Sequence, residues 1–276
     1  MTVSRFAPSP NGSLHLGHAY SAIVSHDLAK ARGGRFVMRI EDIDGARTLP
    51  DKPEEFRHDL AWLGLTWDDV PAQSTRLVSY GAAVDSLRSE GLLYPCICTR
   101  KDIEARATHH GPEGPIYPGI CKGRPVAMDR PHVLRLDTEK LAAMIGETFW
   151  HDEVHGRQTT DPQCLGDVVL IRKDAPYSYH LAATLDDAAD GITLVTRGHD
   201  LFRMTHVHRA LQEVLGLPVP VWHHHALLVD ETGRKLAKRR GSPSLADRRD
   251  AGEDGLALAA RLRTLRLPTG IRLSKA

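Results

Sequence analysis

The opening residues 1–40 commit the chain to a parallel sheet. Residues 1–5 are short and β-like, and Ala7-Pro8-Ser9-Pro10-Asn11-Gly12 follows at once. Two prolines, an asparagine and a glycine mark a tight loop, because proline presets turn dihedrals while asparagine and glycine tolerate the unusual ones. From Leu14 onward Leu14, Ala19, Ala22, Ile23, Leu28 and Ala29 recur at helical spacing. Arg35-Phe36-Val37-Met38-Arg39-Ile40 then reads as a buried strand with acidic residues at its end. Strand, loop, helix and strand in that order predict an α/β fold built on a doubly wound parallel sheet.

Further along, residues 53–65 and 76–91 read as amphipathic helices. Near residue 92 the character shifts: cysteines appear, then a segment rich in His, Gly and Pro over 108–125, which reads as an insert. The parallel sheet is expected to resume at Val168-Val169-Leu170-Ile171-Arg172. Ile192 to Gly198 is a further strand, and a helix over 203–215 is stopped by Gly216 and Pro218. Leu227-Leu228-Val229 precedes a basic loop at 234–240, and from 244 the Leu and Ala periodicity is helical.

Composition narrows the class. The 276 residues suffice for one large domain carrying a smaller insert. No window approaches a membrane span, and the N-terminus lacks a basic start with an apolar run, so a cytoplasmic protein is expected. With 36 basic and 35 acidic side chains the net charge is +1, which excludes a global nucleic-acid footprint. Any RNA contact must come from local patches: Arg234, Lys235, Lys238, Arg239 and Arg240, or Arg261, Arg263 and Arg266. Each reads equally well as a solvated face. Four cysteines in such a chain argue for metal or core roles and against disulfides.

His15-Leu16-Gly17-His18 carries the sharpest chemistry. Two histidines three apart at a helix start share one face, where unpaired N–H groups and the helix dipole favour phosphate. Gly17 lets a nucleotide approach the backbone, and imidazole N–H groups can donate to phosphate oxygens as charge develops. Lys235-Leu236-Ala237-Lys238-Arg239 lies far downstream, after a strand and a turn, and two lysines there can clamp a triphosphate. An acidic amino acid would need cationic forks and one anion, and Arg5, Arg197 and Glu41 sit at the ends of predicted strands, where open parallel sheets collect ligands.

These segments resemble the HIGH and KMSKS signatures of class I aminoacyl-tRNA synthetases, the second as a KLAKR variant. Arg5 to Gly12, Arg39 to Asp44, Leu63 to Asp68, Gln73 to Arg76 and Arg197 to Leu201 are similar, in order, to glutamyl-tRNA synthetase segments, and the likeness covers roughly residues 3–245. The resemblance implies a Rossmann-like doubly wound sheet and ATP-dependent activation of L-glutamate as an adenylate, with Mg2+ accompanying the ATP. It implies that His15, His18, Lys235 and Lys238 act in catalysis and that His15, Gly17, His18 and Lys238 hold ATP. Arg5, Phe6, Ala7, Pro8, Ser9, Glu41, Tyr179 and Arg197 would then line the glutamate site. Spacing alone does not separate Tyr179 from Tyr177; the resemblance selects Tyr179. The expected division is 1–91 and 166–243 as the two halves of a nucleotide-binding domain, 92–165 as the insert and 244–276 as a helical C-terminal extension.

Cys96-Ile97-Cys98 and Cys121 suggest a structural zinc site, for which chemistry alone leaves His109, His110 and His132 open as fourth ligand. The short glutamyl-queuosine tRNA(Asp) synthetase family has a Cys-x-Cys and Tyr-x-x-x-Cys pattern, and this resemblance implies Cys96, Cys98, Tyr117 and Cys121 as the zinc ligands. Cys164 stands apart and is expected to be buried. The chain ends soon after its basic loop, without a helical anticodon-binding region, which again resembles that family. The implied acceptor is the queuosine base at the anticodon wobble position of tRNA(Asp), with the protein acting as a monomer away from membranes. Ala237 and Arg239 depart from the usual serines of the second signature. Three rival readings stay open: a truncated glutamyl-tRNA synthetase charging tRNA(Glu), an adenylate-forming small-molecule ligase, and an inactive tRNA-binding remnant.

Overall fold

The computed structural model describes residues 1–111, 114–127, 129–236 and 242–274. Strand β1 (Val3–Phe6) is buried along its length, and helix α1 (Leu16–Ala31) carries the chain back to β2 (Arg35–Met38), parallel to β1 from Val3↔Arg35 to Phe6↔Met38. Helix α2 (Lys52–Trp62) leads to β3 (Asp68–Asp69), again parallel, and α3 (Leu77–Ser89) follows. Next come β4 (Leu93–Cys96), α4 (Arg100–Glu104), the short pair β5 (His110–Gly111) and β6 (Gly114–Pro115), β7 (Val133–Leu136) and α5 (Thr138–Ile145). Then follow β8 (Phe149–Asp152), β9 (Gly156–Thr159), β10 (Val169–Ile171), α6 (Tyr179–Ala189), β11 (Leu194–Gly198), α7 (Met204–Val214) and β12 (Val221–His225). The chain closes with β13 (Leu228–Asp230), α8 (Leu245–Asp250), α9 (Gly255–Arg263) and β14 (Ile271–Leu273).

The main sheet has seven strands in the order β3-β2-β1-β11-β12-β8-β9. All neighbours run parallel except β8 and β9. From β1 the chain first builds outward through β2 and β3, and only later returns to add β11 on the other side. The gap between β1 and β11 is therefore the switch point of the sheet, where loops diverge and a crevice opens at the carboxyl ends of the strands.

Two expectations change here. A strand does form within residues 168–172, but β10 (Val169–Ile171) pairs antiparallel with β7 in a separate three-stranded sheet, β10-β7-β4. Strands β8 and β9, within the stretch assigned to the insert, extend the main sheet instead. An apolar run such as Val169-Leu170-Ile171 suits either sheet, whereas Phe149-Trp150-His151-Asp152 and Gly156-Arg157-Gln158-Thr159 carry no comparable run.

The segment from 244 is not wholly helical and does not stand off from the body. Leu245, Leu258, Ala259 and Leu262 share one core with Phe6, Ile23, Phe36 and Leu60, and β14 pairs antiparallel with β13. The second basic patch is largely ion-paired: Arg261 meets Glu253 and Arg263 meets Asp27. In the first, Arg234 meets Asp230, while Lys238, Arg239 and Arg240 lie outside the described residues. No helix among the described residues is long and apolar enough to cross a membrane.

Candidate active site

A cleft of about 1040 Å³ opens at the β1/β11 switch point. It is lined by Arg5, Phe6, Ala7, Pro8 and Ser9 from β1 and its loop, by His15, Gly17 and His18, by Glu41 and Tyr179, by Arg197 from β11 and by Lys235. Every residue singled out from the sequence for this site thus meets in one cavity, except Lys238, which lies outside the described residues.

His15 is the N-cap of α1, and its extended backbone leaves the ring facing back over the first turn. The backbone N–H of Gly17 donates to His15 Nδ1 at 3.1 Å, and that of His15 donates to His18 Nδ1 at 3.1 Å. The cap therefore occupies both Nδ1 lone pairs, so each neutral imidazole carries its proton on Nε2. The rings stack with centroids 3.9 Å apart. Burial, with the Lys235 charge added, lowers His15 to about 4; burial, with His15 and Lys235, lowers His18 to about 3. Two neutral Nε2–H donors at a helix N-terminus are suited to phosphate oxygens. Gly17 has a second reason to be glycine: a Cβ there would lie 3.0 Å from His15 Cε1.

Two parts of the cleft lining differ in charge. Behind the first, Arg39, fully buried, contacts Glu41 (3.3 Å), Asp187 (2.9 Å), Asp190 (2.9 Å) and Asp186 (3.7 Å). Arg5 clasps Asp187 with two of its nitrogens (2.9 and 3.3 Å), and Arg76 meets Asp186 (3.3 Å) and Asp190 (2.6 Å). Three guanidinium groups thus face four carboxylates. Glu41 is held by a single long contact and reaches the cleft. Burial pushes its carboxyl up to about 7 against the pull of Arg39 and Arg5. A ligand ammonium would supply the missing cation.

In the second, Arg197, 5% exposed, touches only neutral groups among the described residues. Its Nε donates to His224 Nε2 (3.1 Å), Nη2 to Thr205 Oγ1 (2.6 Å) and Nη1 to Tyr179 Oη (3.2 Å), with His208 Nδ1 at 3.4 Å. A guanidinium buried without a carboxylate is costly, and a ligand carboxylate relieves that cost. Tyr179 belongs to this part; Tyr177 packs edge-on against Tyr80 in the core, 5.4 Å between centroids. Lys235 reaches the cleft beside Asp200, which it contacts at 2.5 Å.

Sequence reasoning missed Thr205, His208 and His224, which contact Arg197, and Asp152, which lies behind His224. The available signal was His223-His224-His225, three polar residues where strand β12 is largely buried.

In the insert, the sulfurs of Cys96, Cys98 and Cys121 form a group that could hold a metal ion. Cys98 and Cys121 sulfurs lie 3.5 Å apart, and Tyr117 Oη is 3.3 Å from Cys96 and 4.0 Å from Cys98. Burial, with Cys121 and Cys96 alongside, pushes the Cys98 thiol up to about 12, which a bound cation would reverse. Three soft thiol donors converging on one point, with an oxygen beside them, fit zinc chemistry. Cys164 is half-buried, not buried, against the Arg203 carbonyl.

The family described as tRNA synthetases class I (E and Q), catalytic domain, matches residues 1–270, and the chain belongs to it. It is accordingly an ATP-dependent ligase of the aminoacyl-tRNA synthetase class. A finer placement comes from its relatives: a glutamyl-Q tRNA(Asp) synthetase of Rhodobacter capsulatus is 47% identical, covering 91% of this chain and 95% of that one. One from Symbiobacterium thermophilum is 41% identical, covering 91% and 82%. Among solved structures, a glutamate-tRNA synthetase from Elizabethkingia anophelis superposes with a TM-score of 0.71 at 27% identity. That match covers 87% of this chain, which spans about half of the other, 53%.

Proposed function

We propose that the chain condenses L-glutamate with ATP to glutamyl-adenylate and transfers the glutamyl group to the queuosine base of tRNA(Asp). The observation that carries this reading is Arg197, a buried guanidinium with only neutral partners among the described residues, lining the same cleft as Glu41 and its carboxylate surplus. A zwitterion with a further carboxylate suits that pair; aspartate and glutamate both have this charge, and the family match favours glutamate. Arg5 retains two donors with no acceptor among the described residues, available to the second carboxylate.

The α-carboxylate attacks the α-phosphorus of ATP in line, expelling pyrophosphate. His15 and His18 donate through Nε2–H to the phosphates, and Lys235 with Lys238 adds positive charge as it develops there. Magnesium accompanies the ATP. In the insert, Cys96, Cys98, Tyr117 and Cys121 would hold zinc, which on binding supplies the charge that lets the thiols ionise. The names of the relatives support tRNA(Asp) as acceptor, and a cytoplasmic location agrees with that substrate.

Pyrophosphate exchange that depends on glutamate and proceeds without tRNA tests the first step. Labelled glutamate offered with tRNA(Asp), with and without queuosine, tests the second. Label on queuosine-bearing tRNA(Asp) is expected; transfer to tRNA(Glu) instead would overturn the acceptor.

A further inference from the structure

Behind Arg197 a line of buried polar groups crosses three adjacent strands. Arg197 on β11 sits opposite His224 on β12, and Asp152 ends β8, the next strand. Arg197 Nε–H donates to His224 Nε2 at 3.1 Å, so that nitrogen must keep its lone pair and the ring proton sits on Nδ1. Nδ1–H then donates to Asp152 Oδ2 at 2.6 Å. Asp152 is itself fixed: its Oδ1 accepts the backbone N–H groups of Val154 (2.9 Å) and His155 (3.0 Å), and its Oδ2 also accepts that of His224 (3.2 Å). Both side chains are fully buried, and neither lines the cleft.

We propose that Asp152, acting through His224, is a positioning residue for Arg197. It locks the ring tautomer whose Nε2 accepts the Nε–H of the guanidinium, and so leaves the Nη edge to the substrate carboxylate. This rests on the reading of Arg197 as a carboxylate-holding residue. Thr205 completes the brace, accepting from Nη2 at 2.6 Å with its own hydroxyl 3.2 Å from His224 Nε2. With the fork pinned on its Nε side, only its Nη donors remain to meet an incoming anion, where the fork geometry suits a planar carboxylate.

The arrangement dictates what Asp152→Asn must do. Two backbone donors meet Oδ1 and one, longer, meets Oδ2, which favours the amide oxygen at Oδ1, so the new NH2 replaces Oδ2. It faces His224 Nδ1, drives the ring proton to Nε2 and sets two donors against each other at Arg197, with almost no change in volume.

Glutamate-dependent pyrophosphate exchange on the full chain reads the outcome. D152N is expected to raise KM for glutamate about tenfold or more, leaving KM for ATP within about twofold. His224→Gln keeps an acceptor for Arg197 and is expected to stay close to the parent, whereas His224→Phe, which keeps none, raises KM for glutamate as D152N does. In the H224Q background, D152N is expected to add less than about twofold, since the two act in one line. Parental glutamate KM in D152N or in H224F, or multiplicative effects of D152N and H224Q, would overturn the proposal. Arg197→Gln stands as the separate control: an unchanged glutamate KM there would reject the carboxylate reading itself, whatever D152N does.

Discussion

Gly17 is held between two demands, and both can be read in kinetics. Alanine there is favourable for the helix, since glycine costs roughly 1 kcal/mol relative to alanine in a helix interior. Its Cβ, however, would press on the His15 ring at 3.0 Å and disturb the bond from its own N–H to Nδ1. Gly17→Ala is expected to leave stability to urea within about 1 kcal/mol while lowering the exchange kcat roughly tenfold to a hundredfold, because the Nε2–H donor moves off its line. Glu41 gives the pH dependence. Its carboxyl sits near 7 chiefly through burial, and an ammonium binds only the ionised form. Binding therefore weakens as pH falls: KM for glutamate is expected to rise about tenfold from pH 8 to pH 6, the ratio of ionised fractions for such a group. Glu41→Gln should raise KM at pH 8 and flatten the profile. His15 and His18, near 4 and 3, stay neutral across this range and do not contribute. At this scale the sequence was informative where charge marks a residue: Arg5, Glu41 and Arg197, singled out from it, line one cleft. It was silent on Asp152 and His224, which act through a tautomer that only a three-strand alignment creates.

Among elements, those with an unambiguous period were legible, and those defined by their neighbours were not. The β1–α1–β2 unit follows from its loop residues and helical spacing, with β1 and β2 in direct register. Strand β12 carries Trp222 and three histidines, polar because its end faces the site and its buried line, so no apolar run announced it. Strand β10 has the run, yet it belongs to the insert's sheet, because strand pairing is decided by β7 and not by its own composition. Among the described residues the insert contributes no lining to the cleft, which passes from Leu49 directly to Tyr179. That separation makes the proposed zinc a matter of local stability. Cys98→Ser is expected to lose bound zinc by elemental analysis and to speed proteolysis between residues 97 and 121. Exchange activity should remain within about threefold of the parent, as distant sites couple weakly.

Taken whole, the molecule is closed by its last segment, and this is the part that sequence reading most underrated, since Leu and Ala periodicity reports a helix without saying what it covers. Helix α9 lays Leu258 and Leu262 into the core shared with Phe6, Ile23 and Phe36. Its first residue, Gly255, lies so close to α2 that a Cβ would fall 2.2 Å from the Trp62 carbonyl oxygen. The segment also reaches the histidine cap of α1: Ser244 bridges to His15, and the Leu245 N–H donates to the Leu14 carbonyl at 2.8 Å. The core and the proposed phosphate site are therefore joined through one stretch of chain. Leu262→Ala leaves a cavity beneath a fully buried position and is expected to cost about 2–5 kcal/mol, lowering the urea midpoint with the slope unchanged. Because Arg263 of α9 meets Asp27 in the C-terminal half of α1 while the cap sits at the N-terminal end, the variant should fold at low denaturant with near-parental exchange, then lose activity and helical signal together as urea rises. Activity lost well before the helical signal would show instead that the cap is held separately from the core, and that the C-terminal segment only covers it.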